Sequence, residues 1–245
     1  NILIGIHPVE SALRQFPERV RLLVIARESK NRRARELEQL AGKLGIRVES
    51  RPRAELDRGS EGQRHQDVLA EFEPGNLFGE KDLDTVLDGV EGSALVLVLD
   101  GVQDPHNLGA CMRCADAAGA TAVIVPRARA VGLTPVVRKV AAGAAEALPL
   151  ISVVNLARTL RDLKERGIWI VGADDSADRS LYEAEFDGPL ALVMGSEGEG
   201  LRRLTRESCD QLVSIPMAGA VESLNVSVAT GILLYEAVRQ RNRTD

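Results

Sequence analysis

The second part of this chain alternates between two kinds of segment, and that alternation most constrains its fold. Short, almost wholly apolar runs at 94–99, 121–126, 148–153, 168–172, 190–194 and 212–217 are separated by helix-length stretches at 107–118, 135–145, 155–166, 200–208 and 225–240. Runs that are apolar at nearly every residue suit strands buried on both faces, and helical connections between them give parallel pairing. The expected fold class is therefore α/β, a parallel sheet with helices on both faces. Ligands of such sheets bind beyond the carboxyl ends of the strands. The loops at those ends therefore carry the functional reading.

Three loops stand out there. Asp100-Gly-Val-Gln-Asp-Pro-His-Asn-Leu-Gly109 follows the first run, Gly195-Ser-Glu-Gly-Glu-Gly200 the fifth, and Met217-Ala-Gly-Ala-Val-Glu-Ser-Leu-Asn225 the last. If they end adjacent strands, they bring together Asn107, Arg113, Glu197, Ser223 and Asn225. Dinucleotide binding, the default for such a sheet, is disfavoured because the first strand–helix turn lacks Gly-x-Gly-x-x-Gly. Glu197 and Glu199 would oppose a polyphosphate, so the 195–200 loop suits a neutral or cationic ligand, or is an ordinary turn with glutamates at a helix N-terminus.

Each remaining motif has a plain alternative. Asn107 is expected to cap the helix that carries Arg113, and Arg113 either pairs with Asp116 at the surface or points into a cleft. Ser223 or Asn225 could simply cap the last helix. Cys111-x-x-Cys114 has no second cysteine pair, so core packing is the reading and no metal is expected. No Ser–His–Asp set stands out. The loops offer a cation, a carboxylate, amides and hydroxyls without an obvious nucleophile. That inventory suits a reaction in which the substrate supplies the nucleophile and a bound donor the leaving group.

Charge and composition narrow the partners. The net charge is −5, but residues 1–73 hold 14 Lys/Arg against 12 Asp/Glu, while the remainder holds 17 against 24. Arg27, Lys30, Arg32, Arg33 and Arg35, with Arg51, Arg53 and Arg58, form a local basic cluster that could contact phosphates or be a solvated face. Aromatics are only 3% of the chain, which argues against a base-stacking surface. No apolar run reaches the roughly 18 residues of a membrane span, and the opening residues show no signal-peptide pattern. With three cysteines and no disulfide framework, a cytoplasmic location is expected.

The first part reads as a small α/β unit: helix 8–15, strand 20–26, helix 32–44, strand 46–49 and strand 68–72. Residues 57–64 have the composition of a mobile loop. The expected domains are 1–73, a linker over 74–90, and 91–245.

The three loops with their strands resemble the three sequence motifs of the SpoU (TrmH) branch of the SPOUT superfamily. Residues 99–113, 192–201 and 215–229 carry them complete and in order. Gly5-Ile-His-Pro-Val-Glu-Ser-Ala-Leu13 and His65-Gln-Asp-Val68 resemble that family's substrate-binding domain, so the likeness spans nearly the whole chain. It implies a methyl transfer from S-adenosyl-L-methionine to a ribose 2′-hydroxyl in RNA, closest to the members that modify guanosine in a hairpin of 23S rRNA. It further implies an N-terminal L30e-like RNA-binding domain, a SPOUT catalytic domain with a deep trefoil knot, and a homodimer with the site near the subunit interface. In site terms, Asn107, Arg113, Glu197, Ser223 and Asn225 are implied as catalytic, and Met194, Gly195, Ile215, Met217 and Leu224 as cofactor-binding. Alternatives are a methyltransferase for another RNA such as tRNA, or a non-catalytic RNA-binding or ribosome-assembly factor with the same fold. A nucleotide-dependent oxidoreductase stands further off.

Overall fold

The computed structural model describes the chain except residues 1, 16, 61, 73–77, 129, 222 and 243–245, with Gln15 described by its backbone only. It forms two units, one of Asn1–Asn76 with Leu133–Ala147 and one of Leu77–Gly132 with Leu148–Asp245.

In the first unit β1 (Ile2–Ile4), α1 (Ile6–Gln15), β2 (Val20–Ala26), α2 (Arg32–Lys43), β3 (Arg47–Arg51), α3 (Arg53–Gly59) and β4 (Val68–Phe72) build a mixed sheet of order β1-β4-β2-β3. Ile6, Val9, Ala12 and Leu13 of α1 and Ala34, Leu37 and Ala41 of α2 bury one face. Leu56 of α3 covers Leu22, Val24 and Leu69 on the other. The expected mobile loop at 57–64 thus begins within a helix: the polar sequence around Leu56 has one apolar anchor, and burying it is enough to order the turn. Strand directions bring Gly5–His7, Arg27–Asn31 and His65–Asp67 to one end of this sheet. There the Gln66 carboxamide oxygen accepts from the Ile6 N–H at 3.3 Å and the Ser29 hydroxyl donates to Asp67 at 2.8 Å.

The second unit holds β5 (Phe78–Gly79), α4 (Leu83–Asp88), β6 (Leu95–Asp100), α5 (Pro105–Ala117) and β7 (Ala122–Pro126), then, after α6 (Pro135–Ala141) and α7 (Ala144–Ala147) of the first unit, β8 (Leu150–Val153), α8 (Leu156–Glu165), β9 (Trp169–Ala173), β10 (Leu190–Gly195), α9 (Arg203–Glu207), β11 (Gln211–Val213) and α10 (Val226–Arg241). Its seven strands are all parallel, in the order β11-β9-β10-β6-β7-β8-β5. Leu83 and Leu87 of α4 and Leu156, Leu160 and Leu163 of α8 pack on the face formed by Val96, Val98, Ile124 and Val193. Helix α10 packs against both α5 and β10. The chain winds outward from β6 through β7 to β8, then crosses to β9 and returns inward to β10. The switch point between β6 and β10 is where such sheets open a crevice for ligands.

Several expectations need correcting. The linker over 74–90 is not structureless: residues 78–88 form β5 and α4, with Leu83 and Leu87 buried, while 73–77 lie outside the described residues. The helix expected over 135–145 breaks at Ala142 and Gly143, whose φ angles are +52° and +107°, and the resulting pair α6 and α7 groups with the first unit rather than with 91–245. A Cβ on Gly143 would lie 2.4 Å from the Ser11 hydroxyl oxygen, so only glycine permits this close turn. The last strand ends at Val213 instead of 217: Ser214 forms only an isolated bridge with Ser180, and Pro216 has no N–H to donate to a ladder.

Leu97 sits wholly buried in the central strand. Its replacement in Leu97→Ala is expected to cost about 2–5 kcal/mol, read as a lower urea midpoint at an unchanged slope.

Candidate active site

Asp104, not Asn107, caps α5: its side chain accepts from the His106 N–H at 2.8 Å and Pro105 fills the first helical position. Asn107 is thereby freed to point inward from the first turn, where it is buried. Its amide donates to Glu197 Oε1 at 3.1 Å, and its carbonyl oxygen accepts from the Asn225 amide at 2.9 Å. Asn225 Nδ2 also donates to Glu197 Oε1, at 2.7 Å. The three side chains close a triangle across 90 and 118 residues of sequence separation.

Asn225 has a second task. Its Oδ1 accepts from the Ser227 N–H at 2.9 Å and the Ser227 hydroxyl at 2.6 Å, capping α10. Cap and site partner are thus one residue, each role using a different end of the carboxamide.

The three loops do not end adjacent strands. Strands β6 and β10 are neighbours, but β9 separates β10 from β11, and residues 214–225 run back to deliver Asn225. Arg113 stands apart from the triangle. Six residues beyond Asn107, it points about 120° away from it round the helix. It is exposed, with no hydrogen bond or ion pair among the described residues, so of the two alternatives the surface pair with Asp116 is not formed. Ser223 is exposed at the cleft.

The cleft beside the triangle has a volume of about 720 Å³. Met194, Gly195, Ile215, Met217 and Leu224 all line it, as do Glu197, Ser223 and Asn225. One wall is the 196–200 loop, closed by paired backbone hydrogen bonds between Ser196 and Gly200 at 3.0 and 3.1 Å. A Cβ on Gly195 would lie 2.1 Å from the Gly200 carbonyl carbon, so the fold-back requires glycine there.

The opposite wall went unforeseen. Asp174, Asp175, Ser176 and Arg206 line the cleft, and Arg206 pairs with Asp174 at 3.2 Å while donating to the Ser176 hydroxyl at 3.0 Å. Asp174-Asp175 directly after the apolar run 169–173 was the available signal: carboxylates just beyond a buried parallel strand.

No group of three or more His, Cys, Asp or Glu able to hold a metal ion occurs among the described residues. Cys111 packs against Thr230, and burial pushes its thiol up to about 12. Burial does the same to Cys209.

Fold and site together define an α/β protein with a ligand cleft at the switch point of a parallel sheet. Residues 94–235 match the SpoU rRNA Methylase family, and residues 2–78 match the RNA 2′-O ribose methyltransferase substrate binding family. The chain belongs to the SpoU rRNA methylase family. It is 52% identical over 240 residues to the 23S rRNA (guanosine-2′-O-)-methyltransferase RlmB of Pseudomonas syringae pv. tomato, covering 98% of this chain and 96% of that one. The protein of the same name from Ralstonia nicotianae is 54% identical over 242 residues, with the same coverage. Among solved structures, the SpoU methyltransferase AviRb from Streptomyces viridochromogenes in complex with AdoMet superposes with a TM-score of 0.79 at 29% identity, over 99% of this chain and 90% of that one.

Thiol chemistry offers a check on this packing. At about pH 8 a thiol reagent is expected to leave Cys111 and Cys209 unmodified in the native protein. Below the ordinary thiol value of 9.0 both states hold these protons. Above it the unfolded chain alone releases them, so the urea midpoint should fall as pH rises from 9.0 towards about 12.

Proposed function

We propose that this protein transfers the methyl group of S-adenosylmethionine to the ribose 2′-hydroxyl of a guanosine in 23S rRNA. The observation that carries the reading is the Asn107–Glu197–Asn225 triangle on the cleft wall, in a SpoU-family chain more than half identical to relatives named for that reaction.

The cleft suits this cofactor. Its volume falls in the range of small-molecule sites. Glu197, Glu199, Asp174 and Asp175 on its walls favour a sulfonium over an anion, and the bare backbone at Gly195 allows close approach. Met194, Gly195, Ile215, Met217 and Leu224 would hold the adenosine and methionine parts, and the bound cofactor would supply an electrophilic methyl group. The chain's own contribution is positioning, since attack in line with a leaving group needs alignment more than proton transfer. The Arg113 guanidinium has no ready lone pair to accept a proton and is a poor general base. As an exposed cation with no partner among the described residues, it is suited to stabilise the alkoxide developing on the ribose. The triangle fixes the Glu197 carboxylate, and Ser223 shapes the third wall.

RNA capture falls to the first unit, which we read as the L30e-like domain. Of its expected basic cluster, Arg35 donates to the Ser29 carbonyl at 2.9 and 3.1 Å and Arg51 pairs with Glu49 of its own strand at 2.6 Å, so both are engaged within the protein. Arg32 pairs with Glu36 at 2.9 Å on the helix surface. Arg27 and Lys30 have no side-chain partner among the described residues, and Arg33 meets only the His7 ring, at 3.5 Å. These three are the cations best placed for phosphates.

The reading extends to a C-terminal trefoil knot. It is supported by the insertion of β10 between β9 and β6, and by the return of the chain after β11 to bond with loops that follow β6 and β10. It also includes a homodimer in the cytoplasm. Val228 and Tyr235, two turns apart on α10, are each 51% exposed and offer an apolar patch to a second copy.

Incubation with labelled S-adenosylmethionine and unmethylated 23S rRNA should yield 2′-O-methylguanosine; cofactor binding with no product would transfer the activity to another RNA. Arg113→Ala is expected to lower transfer by at least about a hundredfold with cofactor affinity unchanged, as measured by calorimetry beside turnover. Replacing Arg27, Lys30 and Arg33 together by Ala should weaken RNA binding and reduce the slope of log affinity against log salt by roughly 0.7–0.9 for each phosphate no longer neutralised.

A further inference from the structure

We infer that Asp100 is a positioning residue for the cofactor cleft, acting through Arg202; the inference rests on the methyltransferase reading above. Asp100 ends β6 with its side chain wholly buried. Its Oδ1 accepts from Arg202 Nε at 2.6 Å and also pairs with Nη2. Its Oδ2 accepts from the Arg202 backbone N–H at 3.2 Å. One carboxylate therefore grips both the side chain and the main chain of the residue that follows the cleft loop.

The loop's other end is tied to the same place. In the parallel ladder Gly195 is the register partner of Asp100. Residues 196–201 thus leave from opposite Asp100 and return to it, and Glu197, which accepts from both asparagines of the triangle, sits between the two anchors. A change at Asp100 reaches the cleft wall without touching a ligand.

The chemistry of the pair explains why a carboxylate is needed. The Arg202 side chain is 40% exposed and stays hydrated without a partner, so the demand lies with the buried acid. Stability alone could be served as well by apolar residues in place of both partners. What the carboxylate adds is two acceptors on one rigid fork. Asparagine has only one: whichever way its amide turns, an N–H₂ faces either the Arg202 guanidinium or the Arg202 N–H, donor against donor.

The test compares the wild type, Asp100→Asn, Arg202→Lys and the stability control Leu97→Ala, reading S-adenosylmethionine affinity by calorimetry, kcat at saturating cofactor, and amide hydrogen exchange without ligand. Asp100→Asn should weaken cofactor binding by about tenfold, lower kcat less, and speed exchange at Ser196 and Gly200 while β7 keeps its protection. Arg202→Lys retains the cation and the backbone donor and should recover part of the affinity. Unchanged affinity and loop exchange in Asp100→Asn would overturn the inference. So would faster exchange throughout the second unit, as in Leu97→Ala, which marks general loss of stability. Failure of the wild type to bind the cofactor would remove the methyltransferase reading instead, and the exchange comparison would still decide whether Asp100 holds the loop.

Discussion

The rest of the site depends on the register of one ladder, that between β10 and β6. It runs from Leu190 opposite Leu95 to Gly195 opposite Asp100. Strands apolar on both faces have no hydrophobic alternation to choose among registers, so their ends must choose. Here the end is specific. A slip by one residue would put Met194 or Ser196 where the Gly200 backbone leaves no room for a Cβ. It would also carry the loop away from the buried Asp100. The same residues that shape the cleft therefore set the alignment of the strands beneath it.

This explains what could be read from the sequence and what could not. The buried strands β6 to β10 were legible because a run apolar at every position, bounded by glycine and polar residues, has few other uses. Elements with only one or two anchors were not: α3 rests on Leu56, and β5 and α4 rest on little more than Leu83 and Leu87, too few to show a period. The break at Ala142–Gly143 was hidden because the neighbour that Gly143 must leave room for, Ser11, is more than a hundred residues away.

The same limits apply to the site. Asn107, Glu197 and Asn225 were visible as polar residues in glycine-rich loops after strands, and the structure brings them together. The cap was misassigned because Asp104 and Asn107 are both capping residue types, and only Pro105 at the first helical position decides between them. Asp100 was passed over because a carboxylate at the end of an apolar run reads as the first residue of a loop. Its function depends on Arg202, which no local pattern links to it. The resemblance to a known family supplied roles for Arg113 and Ser223, whereas the geometry within one chain leaves both exposed and outside the triangle.

Asn225 joins the start of the last helix to side chains that follow β6 and β10, so the triangle contains nothing that can form early. Its members are 90 and 118 residues apart in sequence, and the long-range pairing behind them is slow to assemble. While the protein is being synthesised, a chain that has not yet extruded residue 225 lacks both the cap of α10 and the third corner of the triangle. The triangle therefore stays open until residue 225 has emerged and docked, and a copy cut before it or partly unfolded carries an incomplete triangle.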